Sequence, residues 1–87
     1  MPRVIITHAV TDRAHWASKH SERVAAFAPW GTNVVDLFHN GNGNQVAVSA
    51  DVSDMAAMKK ALTSPEIEAA KKAHGVVDPL SVYVENS

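Results

Sequence analysis

An α+β fold of order β-α-β-β-α-β is predicted by three features of this 87-residue chain. Four short segments are rich in β-branched residues or alternate apolar with polar residues, as strands do. Two longer segments start at capping residues and carry apolar residues at helical spacing. An Asn/Gly-rich segment over 40–44 lies between the second and third strands, where a tight hairpin fits. The length predicts a single domain over 1–87 and not two.

The first strand and helix are predicted over 3–10 and about 12–28. Val, Ile and Thr dominate the strand, and Thr11 and Asp12 follow it as helix-capping residues. One stripe of the helix has spacings of four, four and three and is expected to face the sheet: Trp16, His20, Val24 and Phe27. The residues expected to face water or the edge of this stripe are Lys19, Glu22 and Arg23.

A β-hairpin is predicted next. Pro29 and Gly31 end the helix, and residues 33–39 form the second strand. Residues 45–52 form its antiparallel partner, because Val or Ala at every even position from 46 to 52 alternates with more polar residues. One face of this strand is therefore apolar.

The second helical region is interrupted at Pro65. Asp54 lies where it can cap the first part, and Ser64 followed by proline at the first helical position starts a new helix or a bend. That second part runs to His74, where Gly75 stops it. The final strand is predicted from about Leu80 to Glu85.

These elements predict the ferredoxin-like arrangement, in which helices cover one face of a four-stranded antiparallel sheet. The opposite face is left bare. We expect a homodimer that buries this face, with a contact on the order of 1,200 Å² or more in total.

Composition excludes several classes of partner. Eight basic and nine acidic residues give a net charge of −1, with no basic run to follow nucleic acid or an anionic membrane. Cysteine is absent, so disulfides, thiolate nucleophiles and thiolate metal sites are excluded. No leader-like or membrane-spanning apolar segment is present in the sequence, and we expect a cytoplasmic protein.

The chain resembles the small dimeric α+β barrel proteins related to antibiotic-biosynthesis monooxygenases and polyketide cyclases. Many of these carry a strand ending in His-x-Val, then Asp and a helical Trp, as in the run Thr7-His8-Ala9-Val10-x-Asp12-x-x-x-Trp16. The likeness continues at Ser64-Pro65-Glu66 and at Ala73-His74-Gly75-Val76-Val77-x-Pro79. The resemblance implies a ligand cavity between sheet and helices in each protomer, with the two sheets meeting in the dimer. By this resemblance, His8 and Trp16 occupy the positions of the family's histidine and tryptophan.

His8 is the leading candidate for a catalytic base. By the period of two in a strand, it shares a face with the apolar residues of the first strand, which we expect to be the helix side. A neutral imidazole there accepts a proton or binds a substrate carbonyl. Asp36, if it faces inward, needs a partner, and either His8 or His20 would serve. An Asp-His pair raises the basicity of the imidazole, so Asp36 is the second candidate catalytic residue.

A pocket for a flat hydrophobic small molecule is predicted from aromatic and thioether side chains, which adapt to such shapes. The predicted substrate-binding residues are Trp16, His20, Phe27, Phe38 and Met58. Residues of these types are more often plain core, so a cavity filled by the chain's own side chains is the alternative.

We expect neither a metal ion nor a cofactor. His8 and His20 supply two imidazoles, but a third ligand from Asp36, His39 or His74 has no motif spacing. His74 is interpreted as a residue of the last helical turn, where a cationic imidazole suits the helix dipole.

Two functions remain open from the sequence. The first is a cofactor-independent enzyme of the monooxygenase-like or cyclase-like type, with proton transfer by His8 as its central step. The second is a non-enzymatic ligand-binding or interaction protein of the same fold. The complete residue sets of the heme-degrading and quinone-forming members cannot be placed on this chain, which keeps the second function open.

Overall fold

A computed structural model of the chain, which describes residues 2–41 and 43–86, has the predicted element order. The strands are β1 (Arg3–Val10), β2 (Gly31–Phe38), β3 (Gln45–Val52) and β4 (Val76–Val84). The helices are α1 (Arg13–Ser18), α2 (His20–Phe27), α3 (Met55–Leu62) and α4 (Pro65–His74). The sheet has the order β2-β3-β1-β4 with antiparallel neighbours. The predicted ferredoxin-like α+β fold is confirmed.

The first helical region is two helices and not one. Asp12 caps α1 as predicted, because its carboxylate accepts a hydrogen bond from the backbone N–H of His15 at 3.2 Å. Lys19 leaves the helical conformation, with φ −96° and ψ 13°, and so separates α1 from α2. The prediction of one continuous helix over 12–28 was wrong in this respect.

The break changes which side chains of α2 face the sheet. Trp16 and Phe27 are buried, as predicted. Arg23 is only 5% exposed and Val24 is 42% exposed, so their predicted positions were wrong. Arg23 lies one helical turn before Phe27 in α2 and shares its buried face, and the Asp36 carboxylate of β2 pairs with its charge there.

The second helical region is interrupted where the sequence predicted it. The Ser64 hydroxyl accepts a hydrogen bond from the N–H of Ile67 at 3.2 Å, and Pro65 opens α4. Gly75 ends α4 with φ 72°, a conformation that favours glycine. A Cβ atom at Gly75 would lie 2.6 Å from the Thr11 Oγ1, so glycine also permits the close approach of α4 to the end of β1.

Strand β4 begins at Val76, four residues before the predicted start near Leu80. Val76 pairs with Val10, and a register shift between Thr7 and Ala9 then leaves the segment 78–80 opposite His8. Proline has no N–H to donate, which made this segment unlike a strand in sequence. The irregularity accommodates it at the edge of the sheet. The Asp78–Pro79 peptide bond is cis.

The hairpin and second strand also differ slightly from prediction. β2 spans Gly31–Phe38 instead of 33–39, and Asn33 has a positive φ of 54° beside a register shift. The N–H of His39 donates to the Gln45 carbonyl at 3.0 Å, and Gly41 has a φ of 133°, as a tight turn requires. Asn42, also assigned to this hairpin, lies outside the described residues.

The core lies between the sheet and the helices. Its buried apolar members are Val4, Ile6, Val10, Trp16, Phe27, Trp30, Val46, Val48, Ala50, Val52 and Met58. The other sheet face leaves Leu37 and Tyr83 exposed in the single chain, and a homodimer across that face stays a prediction. No helix in residues 2–41 and 43–86 has the length and apolar character needed to span a membrane.

Candidate active site

A cavity of about 370 Å³ lies between the sheet and helices α2 and α4. This volume falls within the range of about 300–1,000 Å³ typical of small-molecule sites. Most of its wall is apolar, with side chains that include Ile6, Trp16, Phe27, Val48, Leu62, Ile67, Val76 and Leu80. The ionisable residues that line it are His8, Glu22, Arg23, Lys71 and His74. The sequence left open a cavity filled by the chain's own side chains, but the structure has an open cavity at this place.

His8 lines this cavity from β1, opposite the irregular segment of β4. Its Nδ1 lies 2.9 Å from the Ala9 carbonyl oxygen. Because a carbonyl only accepts, Nδ1 carries the proton and Nε2 of the neutral ring has a free lone pair. No described residue hydrogen bonds to Nε2. The strand therefore presents His8 in the tautomer that a proton acceptor needs.

The buried position of His8 keeps its ring neutral. Desolvation lowers the pKa of His8 below its ordinary value, and the nearby Arg23 charge adds to this effect. The hydrogen bond to Ala9 and the charge of Asp78 act in the opposite direction. His8 is therefore unprotonated at neutral pH and able to accept a proton.

Trp16 contacts two polar residues that line the cavity, His8 and Arg23. The His8 ring meets the indole edge-on, with ring centroids 5.7 Å apart and planes at 75°. The Arg23 guanidinium stacks on the same indole, with Cζ 3.9 Å from the ring centroid. Trp16 Nε1 has no hydrogen-bond partner within the described part of the chain. Trp16 therefore contacts both the His8 ring and the Arg23 guanidinium.

Asp36 pairs with Arg23 and His20, not with His8. Arg23 donates to its carboxylate through Nε at 3.2 Å and Nη2 at 2.5 Å, and Nη2 also donates to the Trp16 carbonyl at 2.7 Å. His20 Nδ1 approaches the same carboxylate at 3.1 Å. The sequence offered His8 or His20 as a partner for Asp36, and in the structure the partner is His20. His8 is oriented instead by a backbone carbonyl.

His74 is a cavity residue that sequence reasoning missed. It is 7% exposed, and its Nε2 lies 3.9 Å from the Glu22 carboxylate. Desolvation lowers the pKa of His74 below its ordinary value, and the Arg23 charge adds to this. The interpretation of His74 as a cationic residue at a helix end did not account for this burial. A signal was available, because Ile67, Lys71 and His74 form a helical stripe with spacings of four and three.

Four of the predicted site residues do not line the cavity: Asp36, His20, Phe38 and Met58. Phe38 is 51% exposed and contacts Trp16, with 6.2 Å between the ring centroids. The Arg13 guanidinium lies over the Phe38 ring, with Cζ 4.8 Å from the ring centroid. Met58 is fully buried in the core. His8, Trp16 and Phe27 are the predicted residues that the structure brings together there. Within the described residues, no three His, Asp or Glu side chains are grouped closely enough to hold a metal ion.

The two buried imidazoles predict how stability depends on pH. Both have pKa values below the ordinary histidine value of about 6.5. Between those lowered values and about pH 6.5, the unfolded chain binds more protons than the folded chain. We therefore expect the free energy of unfolding to decrease as pH falls below about 6.5, and this contribution to level off below the folded-state pKa values.

Urea denaturation across this pH range checks the expectation. The double variant His8→Gln, His74→Gln lacks both groups and should lose less stability on acidification than the parent protein. An identical pH dependence of the two proteins would contradict the assignment of neutral imidazoles.

Comparison with known proteins identifies structural neighbours. No family model matches the chain, and no curated protein does. A candidate antibiotic biosynthesis monooxygenase from Bordetella bronchiseptica has a TM-score of 0.77 and 14% identity, covering 99% of this chain and 95% of its own. SnoaB, a cofactor-independent oxygenase from Streptomyces nogalater, has a TM-score of 0.71 and 16% identity, with coverage of 99% and 93%.

A third neighbour, from Deinococcus radiodurans, is also a candidate antibiotic biosynthesis monooxygenase. Its TM-score is 0.67 at 15% identity, and the match covers 100% of this chain and 92% of its own. At such identities the likeness establishes a shared fold, while activity has to be argued from the site. The predicted resemblance to antibiotic-biosynthesis monooxygenase-like proteins is confirmed at the level of the fold.

Proposed function

We propose that the protein is a monooxygenase-like enzyme that removes a proton from a hydrophobic substrate, with His8 as the base. The observation that carries this proposal is the state of His8 in the cavity. Its Nδ1 is held by the Ala9 carbonyl, its Nε2 is free of protein partners among the described residues, and burial keeps the ring neutral. A general base needs a free lone pair beside bound substrate, and the cavity supplies the space for that substrate.

The apolar wall favours a flat carbon acid, such as an aromatic ketone with an acidic methylene group. His8 Nε2 accepts a proton from that carbon, and the carbanion formed is the electron donor for molecular oxygen. The balanced overall change is a methylene group and O₂ giving a carbonyl group and water.

His8→Ala and His8→Gln are expected to lower turnover of such a substrate by about 10²–10⁴-fold, the usual contribution of a general base. Anthrone is a suitable probe, and oxygen consumption with anthraquinone formation measures the reaction. In the parent protein, activity should fall as pH drops through the pKa of His8, with a midpoint below about 6.5 because that pKa is lowered.

The control for this experiment is His15→Gln. His15 is exposed and contacts the Ala73 carbonyl from outside the cavity, so the same chemical change there should leave turnover intact. Thermal midpoint and ligand affinity are measured on every variant. Equal turnover by the parent protein and His8→Ala would refute the role of His8, and a loss of turnover that only follows a loss of folding would assign His8 to the core.

The second candidate function is non-enzymatic binding of a hydrophobic small molecule. One observation favours it: the carboxylate of Asp36 is paired with Arg23 and His20, so no carboxylate among the described residues hydrogen bonds to His8, and Asp78 raises the pKa of His8 through its charge alone. Ligand extraction from purified protein followed by mass spectrometry discriminates the two. A ligand recovered unchanged after incubation in air supports binding alone, and recovery of an oxidised product supports the enzyme.

A further inference from the structure

Arg23 and His74 form a polar wall of the cavity that proton transfer by His8 does not use. Both side chains are more than nine-tenths buried and both line the cavity. The Arg23 charge influences the titration of His8 and of His74, so the guanidinium lies within electrostatic reach of both rings. The mostly apolar wall of the cavity thus includes the Arg23 cation within electrostatic reach of two imidazoles, together with Glu22 and Lys71.

Arg23 has donors left after its contacts within the protein are made. Its Nε and Nη2 engage Asp36, and Nη2 also donates to the Trp16 carbonyl. Because the guanidinium is planar, the remaining nitrogen, Nη1, is directed away from the Asp36 carboxylate. Nη1 is buried and has no hydrogen-bond partner in the described part of the chain. An unsatisfied buried donor is costly, and an oxygen acceptor relieves that cost.

His74 also has hydrogen-bonding capacity to spare. Its Nε2 lies 3.9 Å from Glu22, which is beyond hydrogen-bond distance, and no described residue hydrogen bonds to the ring. A neutral imidazole offers one N–H donor and one acceptor nitrogen. His74 therefore presents a donor at the same cavity that contains the Arg23 side chain.

We propose, on the basis of the function proposed above, that Arg23 and His74 bind an oxygen substituent of the ligand. The ligand class is then a flat apolar molecule with a phenolic hydroxyl or an enolisable carbonyl. Such an oxygen gains negative charge when the phenol ionises or when the carbon acid loses its proton. A buried guanidinium stabilises that charge more than it stabilises the neutral carbonyl, which is the differential that catalysis requires.

Paired probes test this proposal without any measurement of turnover. 2-Naphthol carries an acidic oxygen, and naphthalene is the matched ligand without it. The parent protein is expected to bind 2-naphthol at least about tenfold more tightly, as a hydrogen bond to a charged group implies. Equilibrium dialysis gives both affinities. His74→Leu should weaken binding of 2-naphthol while leaving that of naphthalene unchanged.

Arg23 is tested by the double variant Arg23→Met, Asp36→Leu. Replacing both members of a buried ion pair with apolar residues of similar size is often neutral for stability, so the fold is retained. The ratio of the affinities for 2-naphthol and naphthalene should fall close to one in this variant, while naphthalene still binds. His15→Gln is the control, because His15 lies outside the cavity and should keep the full preference.

The outcomes separate this proposal from the function on which it rests. Equal affinity of the parent protein for the two probes overturns oxygen recognition by Arg23 and His74, yet leaves an apolar cavity for His8 to serve. A preference that persists in both variants overturns it as well, because the oxygen is then bound elsewhere. Failure to bind either probe overturns both proposals together.

Discussion

Trp16→Ala is expected to lower the free energy of unfolding by about 3–5 kcal/mol, the range for truncating a fully buried aromatic residue. Trp16 is completely buried and contacts the His8 ring, the Arg23 guanidinium and the Phe38 ring. Removing the indole leaves a void beside the ligand cavity and strips a buried cation of its stacking partner. Urea denaturation monitored by circular dichroism measures the loss.

Val24→Ala is the matched control on the neighbouring helix. Val24 was predicted from its spacing to share the buried stripe with Trp16, but it is 42% exposed. Its truncation should change stability by no more than about 0.5 kcal/mol, as for most surface substitutions. A loss at Val24 equal to that at Trp16 would show that the helical region faces the sheet as one continuous stripe after all.

Arg23→Ala is expected to destabilise the protein by a similar amount, about 3–5 kcal/mol, because it breaks a buried ion pair and leaves one charge uncompensated. The Arg23 and Asp36 side chains are 6% and 14% exposed, so water reaches little of either. Among the described residues, Asp36 would then keep only His20 as a partner. The denaturation midpoint and slope of the purified variant measure this effect.

Two further variants show whether the loss comes from the unpaired charge. Arg23→Met combined with Asp36→Leu should recover most of the stability, since both charges are removed together. Arg3→Ala breaks a more exposed pair with Asp51, whose side chains are 38% and 31% exposed, and should cost no more than about 1 kcal/mol. A double variant as unstable as Arg23→Ala would mean that packing, and not charge, explains the effect.

The fold was largely predictable because its signals are local. Asp12 and Ser64 cap helices and Gly75 ends α4, as predicted from residues a few positions apart. The even positions of β3 are buried, as its alternation predicted, while Ser49 on the opposite face is buried as well. The start of β4 was not predictable in this way. It depends on Val76 pairing with Val10, which lies far away in sequence, and on an irregularity that accommodates Pro79.

The site was predicted only in part, because the buried side chains of the helix were chosen by their spacing from Trp16, which selected Val24 and placed Arg23 at the edge. The Asp36 carboxylate comes from a different element and makes burial of Arg23 favourable. His74 was missed because its place at a helix end suggested exposure, although its stripe with Ile67 faces the cavity. His8 was predicted correctly to face the helices because the period of two within β1 places it on the same face as the apolar residues of that strand.

Oligomeric state and cellular location remain predictions. The bare sheet face, with exposed Leu37 and Tyr83, is where we expect a second copy of the chain to pack.

Base-catalysed exchange of carbon-bound hydrogen is the most direct test of proton removal by His8. 2-Tetralone, a ketone whose acidic methylene lies between the carbonyl and a benzene ring, is incubated with the protein in D₂O without oxygen, and deuterium incorporation is followed by proton NMR. The parent protein and His15→Gln should accelerate exchange equally, and His8→Ala and His8→Gln should not accelerate it above buffer. Exchange that is equally fast with His8→Ala as with the parent protein would contradict a catalytic role for His8.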